Sequence, residues 1–121
     1  MSDLDPIAFP GGGARNRRPQ PPGLRTTFER RELDRILDLY GRKVAAGEWR
    51  DYAIQFLKDR TVFAVFRRAA EMPLYRIVKD PGLARRQGAY AVVAASGRIL
   101  KRSHDLERVL RVIDPALRVV N

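Results

Sequence analysis

From Thr26 onward, apolar residues recur at helical spacing. Leu33, Ile36, Leu37, Tyr40 and Val44 lie at offsets of 3, 4, 7 and 11, one stripe on a helix of roughly 17 residues. Thr26 and Glu29 have capping-box spacing and predict its start. Glu29, Glu32 and Asp34 come early and Arg42 and Lys43 late, which suits the helix dipole, and Gly47 fits the residue that follows the last turn. The period then falls to two. Tyr52, Ile54 and Phe56 alternate with Ala53, Gln55 and Leu57, predicting a strand. Asp59-Arg60 reads as a turn before a second strand, Thr61 to Phe66, that is apolar on both faces. Leu74 to Lys79, Tyr90 to Ala95 and Arg98 to Arg102 predict three more, punctuated by Asp80-Pro81-Gly82 and Ser96-Gly97. Leu106, Val109, Leu110 and Ile113 return to helical spacing, with Ser103 or His104 as the cap and Pro115 as the stop; Leu117 to Val120 predict a last extended piece.

The expected architecture is α+β: an N-terminal helix, a four- or five-stranded antiparallel meander and a C-terminal helix, with both helices on one face of the sheet. The second strand then poses a question. Phe63 and Val65 fall on one side and Val62, Ala64 and Phe66 on the other, and two helices cover only one of them. An apolar sheet face left open is a signature of an interaction surface. The expected interaction face is placed around Phe63, Val65 and Tyr75, serving a homodimer or a protein partner.

Residues 1–25 differ in kind. They carry five of the eight prolines and four of the nine glycines, and they read as a flexible tail with Arg15, Arg17 and Arg18 near its middle; residues 26–121 read as one domain. The chain of 121 residues has room for a single core. It holds no cysteine and one histidine, His104, so disulfides, thiolate chemistry and paired-imidazole sites are excluded. The longest apolar run, around Tyr90 to Ala95, is far short of the roughly 20 residues that span a bilayer. The opening residues, acidic and then rich in proline and glycine, do not read as a secretory signal.

Candidate chemistry is sparse. His104 beside Asp105 is better explained by helix capping than by catalysis, since sequence neighbours rarely face each other. Glu32, Asp34 and Asp38 are spaced for surface ion pairs with Arg35, Arg42 and Lys43. Gly11-Gly12-Gly13 lacks the strand before it and the Lys-Ser/Thr after it that a phosphate loop requires. No catalytic residue, metal ligand or cofactor is expected. What remains is arginine: 20 of 24 basic residues, in a chain of formal net charge +10. Arg67-Arg68, Arg85-Arg86 and Lys101-Arg102 fall in or beside the predicted sheet, with Arg76 and Tyr90 in its strands. The guanidinium fork matches phosphate and stacks on bases. These eight residues are the expected contact surface for nucleic acid or another polyanion, in a non-enzymatic binding module.

The stretch from Leu39 to Arg60, LYGRKVAAGEWRDYAIQFLKDR, followed by FAVFRR, PLYRI, DPGLARRQGAYAVVAASGRILKR and DLERVLRV, resembles a family of small alphaproteobacterial proteins, a domain of unknown function. The resemblance covers about Phe28 to Val112. It implies a cytoplasmic bacterial protein with a variable tail, and it carries no activity or site residues to transfer.

Overall fold

The structure, a computed structural model, describes residues 25–68 and 72–114. The expected tail and the piece at Leu117 to Val120 lie outside them. The order is helix α1 (Arg30–Ala45), strands β1 (Asp51–Phe56), β2 (Thr61–Phe66), β3 (Tyr75–Lys79), β4 (Tyr90–Ala94) and β5 (Ile99–Ser103), then helix α2 (Leu106–Ile113). The strands form one antiparallel sheet in the order β1-β2-β3-β4-β5. This is the α+β meander that the periodicities predict.

Helix α1 begins one turn later than the capping pattern suggests. Glu29 is the cap, and its side chain and that of Glu32 each accept from the other's backbone N–H. Thr26 is used elsewhere: its amide donates to the Leu57 carbonyl (2.7 Å) and its hydroxyl to that of Lys58 (2.9 Å), tying the incoming chain to the end of β1. The helix closes on Gly47, whose φ of 79° no side chain adopts easily. The Gly47 amide donates to Val44 O and the Glu48 amide to Lys43 O, the paired bonds of a Schellman stop. The buried positions are Ile36 and Leu39, with Leu33, Leu37 and Tyr40 packed beside them. Val44, at the end of the expected stripe, is largely exposed, and Leu39 takes its place in the core.

Local backbone bonds close the links between strands. Leu57 N–H to Arg60 O (2.9 Å) closes the β1–β2 turn, and Asp80 N–H to Ala89 O (2.7 Å) closes the β3–β4 connection. Within that connection Pro81–Leu83 make one turn of 3-10 helix, capped by the Asp80 carboxylate on Gly82 N–H. In β5 the register steps from Val92↔Lys101 to Val93↔Ile99, leaving Leu100 as a bulged residue that packs on the core. Asp105, rather than Ser103 or His104, caps α2 by accepting from Glu107 N–H (3.0 Å). Ser103 instead accepts from Asp105 N–H.

The core lies between the two helices and one sheet face. Ile36 and Leu39 of α1 and Leu106, Val109, Leu110 and Ile113 of α2 enclose Phe63, Val65, Ile77 and Val92 with Trp49 and Phe28. Phe63 and Val65 have no exposed surface. Tyr75 joins the same side, 6.4 Å from the Trp49 ring. The expected interaction face is therefore corrected: Phe63, Val65 and Tyr75 belong to the helix-covered side, because burial of the larger rings there is what holds the layers together.

Candidate functional site

Register fixes which residues share the other face. One row runs Gln55, Val62, Val78, Ala91, Arg102 across all five strands. The next runs Ala53, Ala64, Arg76, Val93, Ile99, and Phe66 opposite Asp51 begins a third. No residue of α1 or α2 in the core cluster sits on these positions. This side is thus mainly aliphatic with two arginines in it; Val62 and Ala91 are buried within it, and Ala53, Ala64, Val78 and Val93 are half-buried. Arg76 is half-buried and faces short neighbours, Ala64 and Val93. Arg102 is half-buried and reaches back to donate to the Gly88 carbonyl (3.3 Å).

Charge follows the layers. Residues 49–104, which make the sheet and its loops, contain twelve Lys and Arg against four Asp and Glu. Residues 29–48, with α1, hold five of each, and residues 105–121, with α2, three of each. Nearly all the surplus positive charge therefore belongs to the sheet layer. The helices neutralise themselves across their seam. Arg35 pairs with Glu107, and Arg42 with the nearly buried Asp114 at 3.2 Å. Leu39, Leu110 and Asp38 complete this cleft of about 460 Å³, in which Arg35, Arg42 and Glu107 are engaged in holding α1 to the α2 side.

The expected basic residues separate into groups. Arg67 and Arg68 are exposed at the end of β2, where Arg50 precedes β1 and Arg98 precedes β5. Arg85 and Arg86 are exposed in the β3–β4 connection at the opposite end, a strand length away, roughly 17 Å. Arg76 and Arg102 lie between these ends on the open face, and Lys101 is exposed on the outermost strand. The pairs do not converge on one spot; they bracket the open face.

Tyr90 is placed differently. It lies on the helix-covered side, opposite Lys79 and Ser103, and its hydroxyl donates to Glu32 of α1. Lys79 Nζ donates to the other Glu32 oxygen (2.8 Å) and to Thr27 O (3.2 Å). With the Glu29 amide, Glu32 receives three hydrogen bonds. Burial pushes the Glu32 carboxyl up, but the bonds from Lys79, Tyr90 and the Glu29 amide, with the Lys79 charge, outweigh it and hold it below its ordinary value. Burial, and then Glu32 as bond partner and neighbouring charge, raises the Tyr90 phenol far above its usual range, so it stays protonated. Tyr90 thus clamps α1 to the sheet and is not available as a stacking surface on the open face.

Sequence reasoning missed Val78 and Val93 as members of the open face, and it placed the interaction face on the wrong parity of β2. The signal was present in neighbouring strands. Gln55 and Arg76 alternate in step with Val62 and Ala64, whereas Ile54 and Ile77 step with Phe63. A cation without a buried carboxylate partner belongs on the solvent side. Among the described residues no cluster of metal-ligating side chains exists, and no helix is long and apolar enough to cross a membrane.

The family model described as a protein of unknown function, DUF2794, matches residues 26–110, and the chain belongs to that family. No curated protein and no solved structure matched the chain.

Proposed function

We propose that this member of the DUF2794 family is a cytoplasmic, non-catalytic binding module that grips nucleic acid, as a phosphate-rich partner, from its sheet side. The observation that carries this reading is the segregation of charge: twelve basic against four acidic residues in the sheet and loops, over helices that balance to zero. An even scatter of surface charge serves solubility alone, whereas a one-sided surplus creates a field that draws a polyanion to one face. The arginines at both sheet ends suit a linear partner longer than a single phosphate. Contacts of this kind neutralise backbone charge and release counterions, so affinity falls steeply with salt and depends weakly on sequence.

A second reading, an assembly subunit or homodimer, is favoured by the aliphatic floor. Self-stacking of that floor meets a specific obstacle. It would enclose Arg76 and Arg102 of both copies, with Asp51 as the carboxylate the face itself supplies.

The test is fluorescence anisotropy of labelled oligonucleotides against the full chain over a severalfold salt range. Replacing Arg67 or Arg85 with Gln is expected to reduce the salt slope by about one for each phosphate no longer neutralised. An affinity that barely moves with salt, or that survives replacement of Arg67, Arg76, Arg85 and Arg102 together, defeats the proposal.

A further inference from the structure

We infer that the open face selects single-stranded over double-stranded nucleic acid, with bases resting on the aliphatic floor and phosphates held at its basic margins. This rests on the polyanion reading above and assigns the form of the partner. The chemistry of the face decides between the two forms. A duplex turns its phosphates outward and keeps its bases stacked inside, so it satisfies arginines but leaves the half-buried Val78 and Val93 without an apolar partner. A single strand presents both phosphates and unstacked base faces, and so matches a surface that alternates cation and hydrocarbon.

The register supports the same conclusion. Arg76 stands near the centre of the floor, half-buried, opposite the short side chains Ala64 on β2 and Val93 on β4. Phe66 lies two residues beyond Ala64 on the same face, a diagonal neighbour of Arg76 at roughly 7–8 Å. A planar cation and an aromatic ring at that separation provide stacking positions for two successive bases. The remaining charge lies outside this pair, at the sheet ends carrying Arg67 and Arg85, where a strand running along the β-strands would place its backbone.

The experiment uses the full chain, a fluorescein-labelled 12-nucleotide mixed-sequence single strand in RNA and DNA forms, and the matched duplex, with anisotropy read at fixed salt. Binding of the single strand at least tenfold tighter than the duplex is expected. Phe66→Ala and Arg76→Gln should each weaken single-strand binding fivefold or more and leave duplex binding within twofold, while thermal melts show both variants folded. Arg67→Gln, by contrast, should weaken both forms alike. Equal affinity for the two forms overturns the inference and leaves the polyanion reading standing. No binding of either form at low salt overturns both. A concentration-dependent dimer that Val93→Lys dissociates, with no single-strand preference, also overturns it and assigns the face to a second copy.

Discussion

Replacing Glu32 by Gln isolates one charge in the contact between α1 and the sheet. The carboxylate and the Lys79 ammonium are each only about a tenth exposed, 11% and 12%, and stand 2.8 Å apart. Glutamine retains an acceptor oxygen for the Glu29 amide, which preserves the helix cap, and turns its NH2 toward the Tyr90 hydroxyl, which can accept from it. What it removes is the counter-charge for Lys79. A hydrogen bond to a charged group contributes about 1.5–3 kcal/mol, and an enclosed cation left unpaired adds a desolvation cost, so a loss of about 2–3 kcal/mol is expected. For a domain of this size that lowers the melting temperature by roughly 10–20 °C.

The pH dependence gives the same bond a second signature. Glu32 titrates below the ordinary 4.5 when folded, so its stabilisation is fully present above that unfolded value and is lost as pH falls through the folded one. The gap between wild type and Glu32→Gln should be widest at neutral pH and shrink in acid. Urea melts followed by the fluorescence of Trp49, the single tryptophan and a buried one, measure it. Pairing Glu32→Gln with Lys79→Met in a double-mutant cycle should recover about 1–3 kcal/mol of coupling. A gap below about 0.5 kcal/mol, or one equally large well below pH 4.5, would refute the view that this ion pair fastens α1 to the sheet.

Five further substitutions test the rest of the frame by chemical denaturation. Gly88 has φ of 111°, and an added Cβ would sit 2.7 Å from His104 N and closer still to the Ser103 carbonyl. Gly97 has φ of 95° with open space around it. Gly88→Ala should therefore cost clearly more than the about 1–2 kcal/mol expected of Gly97→Ala, and equal costs would contradict the close approach of β5. Phe63→Ala should cost about 3–5 kcal/mol and Phe66→Ala about 1 kcal/mol or less; a reversed order would mean that the sheet faces are exchanged. Asp105→Ala should cost about 1 kcal/mol through removal of the α2 cap, and no change would move the cap to another residue.

Local chemistry made most of the fold legible. The stripe Leu106, Val109, Leu110 and Ile113 is the buried face of α2, and β2 begins and ends where its Val and Phe content predicts. Gly47 and Gly97 take up the left-handed conformations their turns require. What stayed hidden depends on pairs distant in sequence. Glu32 meets Lys79 and Tyr90 across 47 and 58 residues, and no spacing rule connects a capping carboxylate to two strands it later covers. Tyr90 consequently looked like a surface aromatic. The start of α1 was misplaced for a related reason. Thr26 has the chemistry of a cap, but the end of β1 offers it two carbonyls, and tertiary bonding prevails over local preference. The candidate site was legible as a list of arginines, and the fold distributed them around a face instead of gathering them at a point.

The position of Lys79 explains how a strongly basic sheet can carry a helical layer at all. On β3, Arg76 and Lys79 differ by three residues and so face opposite ways. Lys79 faces the helices, and its charge is spent inside the fold on Glu32 and Thr27. Arg76 faces outward, into a floor whose own carboxylate, Asp51, lies on the edge strand. Had both cations faced the helices, a second buried carboxylate would have been needed, because an enclosed charge without a partner costs several kcal/mol. The alternation of β3 therefore separates the two cations: one secures the layers and the other lies on the face away from the helices. Substitutions at Glu32 and Lys79 should move stability, and those at Arg76 and Phe66 should move binding at nearly constant stability. That independence is what a dedicated recognition face, rather than a generally basic surface, requires.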